Sequence, residues 1–223
     1  MRMRHKKHGE ERIAACSAYR IGFDDLLRTR DPQSFFPVPG PLHLEIGCGK
    51  GRFSCEMANR NPTSNFIAME RVPNVACNAL ENARARYEGV TGTADNLRIL
   101  IGNAEHLAEL FPEHSIAVIY LNFSDPWPKT GYAKRRLTHT RFLNIYRQIL
   151  IPGGLLRLKT DNAGLFAFSL EEFQQAGLEV LWKTDDLHHE TGEYAEQNVQ
   201  TEYESAFSSQ GIPIHMAVVR FQV

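Results

Sequence analysis

"LHLEIGCGKGRF", residues 42–53, decides the fold. Its first five residues alternate apolar and polar side chains, the pattern of a short strand. Gly47, Gly49 and Gly51 then follow at alternate positions before the next helix begins. Three glycines let backbone approach a ligand closely and let a turn take positive φ; an ordinary strand–helix turn does not need three. The spacing is G-x-G-x-G. A dinucleotide fingerprint would need a glycine where Arg52 stands, and a Walker-type phosphate loop would need Ser or Thr where Gly51 follows Lys50. Both phosphate readings weaken.

Working outward, residues 65–70, 97–102, 116–123, 154–161, 178–184 and 214–221 are further short apolar or β-branched runs bounded by Gly, Pro or Asn. With 42–46 they predict seven strands. Helices fit between them. Val72, Val75, Ala76, Ala79, Leu80 and Ala83 form one helical stripe behind Pro73, a first-turn proline. Thr138 is placed to cap a helix carrying Phe142, Leu143, Ile145, Tyr146, Ile149 and Leu150, which Gly153 and Gly154 end. A third helix buries Leu165, Phe166, Ser169, Leu170 and Phe173. Strands alternating with helices imply an α/β fold, a doubly wound, mostly parallel sheet covered on both faces. Residues 41–223 make that domain, and residues 1–40 a helical or irregular N-terminal extension of the same unit. A polar stretch of about twenty residues before the last strand is the kind of insertion that carries function, and it reads as a mobile loop.

The chain has 223 residues, 43% hydrophobic, with a net charge of −1, so nucleic-acid binding would depend on local basic patches. Two exist: "MRMRHKKHGEER" at the start and residues 129–136. Cys16, Cys48, Cys55 and Cys77 form no CxxC pair and no zinc-type cluster; Cys48 and Cys55 read as small buried thiols in a reducing compartment. No metal is expected, including at His188, His189 and Glu190, which lack the i, i+4 geometry of a helical zinc site. The longest apolar run is far below the roughly 18–20 residues of a membrane span, and the basic start lacks the apolar segment of a secretory signal. A cytoplasmic protein with no membrane partner is expected.

Glu45 stands beside the glycine loop, where a carboxylate would repel a diphosphate but accept hydrogen bonds from an ammonium group. Glu70 ends the second strand, where a carboxylate can take both hydroxyls of a ribose. A ligand with a ribose and an amine but no phosphate fits S-adenosylmethionine. Asn103, after the third strand, could read an adenine edge or cap the next helix, and the two roles are compatible. Asp125 follows the fourth strand, so Glu45, Glu70, Asn103 and Asp125 are candidates to line one crevice at the carboxyl strand ends. Beside Asp125 come Trp127, a base-stacking platform or a hydrophobic plug, and Lys129, Lys134, Arg135 and Arg136, which could hold phosphates.

"EIGCGKG", "AMER", "GNAEHL", "NFSDPWPKTGYAKRRL", "LKTDN" and "TEYE" occur in that order from about residue 42 onward. Together they resemble the bacterial tRNA (guanine-N7)-methyltransferases. The block from Asp125 to Arg136 is the specific signal, and Asn103 stands where many relatives have Asp. The resemblance implies a Rossmann-like class I methyltransferase with an antiparallel last strand, using S-adenosylmethionine on the variable-loop guanine, position 46, of tRNA. Glu45, Gly47, Gly49, Gly51, Glu70, Asn103 and Asp125 would contact the cofactor, with Asp125 also catalytic. Lys129, Asp161, Thr201, Glu202, Tyr203 and Glu204 would contact the substrate. Glu204 or Asp161 would accept from guanine N1–H and the 2-amino group. A monomer or homodimer with no obligatory protein partner is implied. Two other readings are a methyltransferase for an exocyclic amine and a non-enzymatic, cofactor-sensing RNA-binding module.

Overall fold

The computed structural model describes residues 9–88 and 95–222. Most of the basic start, residues 1–8, lies outside them. The chain forms two compact units, Met1–Pro112 and Glu113–Val223.

The first unit holds β1 (Arg20–Ile21), β2 (Leu42–Ile46), β3 (Asn65–Glu70) and β4 (Leu97–Ile101), in the order β1-β4-β3-β2. All neighbours are parallel, with Leu44 opposite Ile67 and Ala68 opposite Ile99. Phe66, Ile67, Ala68 and Met69 are all buried, the continuous apolar run of a strand covered on both faces. Each fully buried aliphatic side chain contributes about 1.5–3 kcal/mol. The helices are α1 (Gly9–Ala14), α2 (Phe23–Thr29), α3 (Arg52–Arg60), α4 (Pro73–Tyr87) and α5 (Leu107–Leu110). Pro73 opens α4 as expected, and Ala76, Ala79, Leu80 and Ala83 form its buried stripe. Several contacts join the N-terminal segment to this unit. β1 pairs with β4, and Arg12 forks onto Glu81 of α4 at 2.7 and 2.6 Å.

The second unit holds β5 (Ile116–Asn122), β6 (Leu150–Thr160), β7 (Glu179–Thr184) and β8 (His215–Arg220), ordered β5-β6-β8-β7. β5 and β6 are parallel; β8, the last strand, runs antiparallel between β6 and β7. The helices are α6 (Thr140–Ile149), α7 (Ala163–Gln175), α8 (Glu193–Glu196) and α9 (Glu202–Ser208).

Several expectations need correction. α6 stops at Ile149, and Leu150, Gly153 and Gly154, expected to finish that helix, lie in β6. Four strands are described in each unit, one more in total than the seven expected, and the addition is β1. Its two residues have no periodicity of their own, and only the edge of β4 makes them a strand. The cap of α6 is His139, whose Nδ1 accepts from Arg141 N–H at 3.1 Å. Thr138 is instead buried, accepting from Ser169 Oγ at 2.8 Å. The segment after β7, read as a mobile loop, carries a 3-10 turn, Leu187–His189, with Leu187 buried against Ile214, Met216 and Val218, and then α8.

Candidate functional site

Glu45, Glu70 and Asn103 lie in or just beyond three adjacent parallel strands, at the carboxyl ends where open α/β sheets bind ligands. Backbone hydrogen bonds tie the start of the loop after β2: Gly47 and Cys48 N–H both donate to the Met69 carbonyl, at 2.8 and 2.9 Å. Gly47, Gly49 and Gly51 all have positive φ, at 81, 58 and 76°. They do different work. A Cβ at Gly47 or Gly49 would meet nothing within 4 Å, so these faces of the loop are open to a ligand. A Cβ at Gly51 would lie 3.0 Å from Ala79 Cβ, so this glycine serves the approach of the loop to α4.

Glu45 is 4% exposed and accepts from Ser54 Oγ at 2.6 Å. Glu70 accepts from Gly49 N–H at 3.1 Å and from Val72 N–H at 2.8 Å, one amide on each oxygen. A carboxylate has about four acceptor positions, so Glu70 is fixed in direction yet keeps capacity for two hydroxyl donors. Asn103 caps the turn that follows β4, its Oδ1 accepting from Glu105 N–H at 3.3 Å while its amide donates to Glu105 Oε2 at 3.1 Å. Two thiols lie in this region. Burial pushes the Cys48 thiol well above its usual range, and the Cys55 thiol up to about 11, with Arg86 opposing. Both are protonated at neutral pH, and all four cysteines are free.

In the second unit, Asp125 follows β5 and Asp161 follows β6, again at the carboxyl ends of parallel strands. Asp125 is exposed, and among the described residues no hydrogen bond or ion pair engages its carboxylate. The backbone around it is unusual. Phe123 has φ 53° and Trp127 has φ 42°, left-handed conformations for two bulky residues. Such conformations cost on the order of 1–3 kcal/mol each and cluster at functional sites. Ser124 Oγ, next to Asp125, is buried without a hydrogen-bond partner among the described residues.

The cations divide. Lys129 and Lys134 are exposed, as phosphate contacts require. Arg135 stacks its guanidinium 4.9 Å from the Trp127 ring centre and 4.7 Å from that of Tyr132. Arg136 donates to the Pro126 and Trp127 carbonyls, both at 3.0 Å. Sequence supplies the charge of these residues and nothing about which way they face.

"TEYE" opens α9 with a capping box. Glu204 N–H donates to Thr201 Oγ1 at 3.0 Å and Thr201 N–H to Glu204 Oε2 at 3.3 Å. Glu204 is 0% exposed. Its Oε2 also accepts from Lys159 Nζ at 2.6 Å; its Oε1 accepts from Asn198 Nδ2 at 2.6 Å and lies 3.3 Å from His188 Nε2. Three hydrogen bonds and the nearby His188 ring thus engage this buried carboxylate from within the protein. Thr201, 8% exposed, is likewise a cap. Glu202 is exposed, and Tyr203 is 65% exposed with its ring stacked 6.4 Å from that of Phe123. Lys159 and Asn198 were not singled out by sequence, and His188 was weighed only as a metal ligand. The T-x-x-E capping pattern is a signal that ties Glu204 back to the start of α9, and its burial is seen only in the structure. Among the described residues no His, Cys, Asp and Glu group could hold a metal ion, and no helix is long and apolar enough to cross a membrane. His188 faces Glu204, His189 faces Asp186 at 2.7 Å, and Glu190 accepts from Thr184 at 2.7 Å.

A family model described as a putative methyltransferase matches residues 39–217. The chain is 44% identical over 225 residues to the tRNA (guanine-N(7)-)-methyltransferase of Limosilactobacillus reuteri, covering all of both chains. It is 49% identical over 175 residues to that of Brevibacillus brevis, covering 78% of each. Among solved structures it is similar to the 16S rRNA methyltransferase KamB, with a TM-score of 0.63 at 12% identity over 92% of this chain and 95% of that one. An antibiotic-related methyltransferase gives 0.59 at 16% identity, covering 91% and 95%. These structural likenesses show the fold, the α/β architecture of the class I methyltransferases.

Proposed function

The chain belongs to the tRNA (guanine-N(7)-)-methyltransferase family, and we propose that it moves a methyl group from S-adenosylmethionine to N7 of the variable-loop guanine, position 46, of tRNA in the cytoplasm. The observation that carries the cofactor part is the open glycine loop between two anchored carboxylates. Gly47 and Gly49 leave room on the ligand side, Glu45 is buried at the strand end, and Glu70 is aimed by two amides. Those residues fit a ligand with an amine and a ribose and no phosphate. Glu45 accepts from the amino group, Glu70 takes the ribose hydroxyls, and Asn103 meets the adenine edge. When bound, the cofactor supplies an activated methyl carried on a sulfonium.

The protein's own task is then mainly alignment, because guanine N7 has a free lone pair and nothing must be deprotonated first. The purine gains positive charge as it is methylated, and Asp125 favours that charge electrostatically without acting as a strong base. Its exposure, and its lack of a partner among the described residues, support this role. Asp161, not Glu204, accepts from guanine N1–H and the 2-amino group, rejecting adenine. Lys129, Glu202 and Tyr203 contact the tRNA, while Thr201 and Glu204 hold α9 in shape. Incubation with labelled cofactor and unmodified tRNA, followed by mapping of the modified nucleotide, tests the reading. Label at N7 of guanine 46 is expected; label on an exocyclic amine, or on no tRNA, overturns it.

A further inference from the structure

Arg136 is a cation of the 129–136 stretch whose donors the fold has turned onto the protein's own backbone. It is half-buried. Its Nε and one terminal nitrogen donate to the Pro126 and Trp127 carbonyls, and its guanidinium carbon lies 4.3 Å from the Phe168 ring centre. The Nε–Nη2 edge is thereby occupied, and a phosphate could take that side-on fork only if the guanidinium released the turn.

The turn it grips contains Trp127 in the left-handed region, and Phe123, four residues earlier, shares that conformation. Conformations of this kind persist only where the surroundings over-determine them. Phe123 is held by its N–H on the Lys159 carbonyl at 2.9 Å and by the rings of Tyr203 and Phe207. Trp127 is held by Arg136 on its carbonyl, and by Arg135 and Tyr132 on its ring. Asp125 lies between these two fixed points with no side-chain partner among the described residues, so the backbone on either side sets its direction.

We propose that Arg136 is a positioning residue: it clamps the Pro126 and Trp127 carbonyls and thereby aims the Asp125 carboxylate, and it is not a tRNA phosphate ligand. The consequence for catalysis rests on the methyl-transfer reading of Asp125; the clamp does not. The chain has two tryptophans, Trp127 and Trp182. Trp182→Phe therefore leaves Trp127 as the reporter of the turn. In that background, Arg136→Ala and Arg136→Lys are compared with the parent for kcat and KM at saturating cofactor, for tRNA affinity against salt, and for Trp127 emission.

A displaced catalytic group costs up to about 10²-fold, so kcat of Arg136→Ala falls about 10- to 10²-fold while KM for tRNA changes little. The salt slope of tRNA binding stays that of the parent, and Trp127 emission shifts. Arg136→Lys, which can reach one carbonyl but not fork onto two, falls between them, and added guanidinium ion restores part of the Arg136→Ala rate. The opposite pattern overturns the proposal: weaker tRNA binding with a salt slope reduced by about 1, as loss of a phosphate contact gives, and unchanged kcat and emission. If Arg136→Ala does not fold, Arg136→Lys carries the same three readouts. If the parent enzyme itself places no methyl on guanine N7, the functional reading fails, and Trp127 emission still decides the clamp.

Discussion

Glu70 and Asp125 are both carboxylates at the end of a parallel strand, and the fold treats them in opposite ways. Glu70 is fixed by Gly49 and Val72 N–H before any ligand arrives. Asp125 is exposed and unpaired among the described residues, and only its backbone is constrained. The difference matches their proposed work. A group that binds a constant part of a cofactor gains from being pre-organised, since no side-chain entropy remains to be lost. A group that acts on developing charge must keep its interaction for the transition state. In water its field is screened, and it strengthens once substrate excludes solvent.

The most direct way to break this contrast is Asp125→Ala. Loss of one electrostatic group at the reacting centre costs about 10²–10³-fold in kcat, and cofactor affinity by calorimetry should stay within a few-fold. A variant with full kcat would leave Asp125 no special place. Glu204 sharpens the comparison from the other side, as a buried carboxylate with three hydrogen-bond donors on it. Removing one partner of a buried pair costs about 3–5 kcal/mol, so Glu204→Ala should lose that much in denaturant unfolding. The double change Lys159→Met with Glu204→Leu should recover much of the loss.

The glycines permit a finer test. An alanine in the left-handed region costs roughly 1–2 kcal/mol, so Gly49→Ala and Gly51→Ala both lower the melting temperature. Gly51→Ala should lower it further, because its methyl meets Ala79; Gly49→Ala should weaken cofactor binding more, because its methyl enters open space. The smallest effect concerns the Cys55 thiol, pushed up to about 11 by burial. The folded state holds this proton more tightly than the unfolded chain, so stability contributed by Cys55 is present at neutral pH. It is lost as pH rises from the ordinary thiol range through about 11. Alkylation of Cys55 in native protein should accordingly be slow at pH 8 and climb steadily to pH 11, followed by mass spectrometry.

The seven longer strands were legible because each is a short apolar run with clear punctuation, and the glycine loop because its spacing is unusual. β1 was not, because two residues carry no pattern and their pairing is decided by the edge of β4. The helix cap at 139 was misjudged because Thr138 and His139 can both cap, and only burial against Ser169 separates them. The cationic stretch was legible as charge, but the turn of Arg136 onto the Pro126 and Trp127 carbonyls was not. Which arginine turns inward depends on carbonyls nine and ten residues away. The burial of Glu204 depends on Lys159, 45 positions earlier in the chain, a distance no local pattern spans.

Lys159 stands at a junction. Its carbonyl receives the Phe123 N–H, and its ammonium, 3% exposed, donates to Asn198, the Val199 carbonyl and Glu204. Anyone transplanting a foreign helix onto residues 202–208 to redirect the enzyme inherits that stranded ammonium. The graft must bring its own acid to position 204, or the lysine must be exchanged for an apolar chain of similar length in the same step.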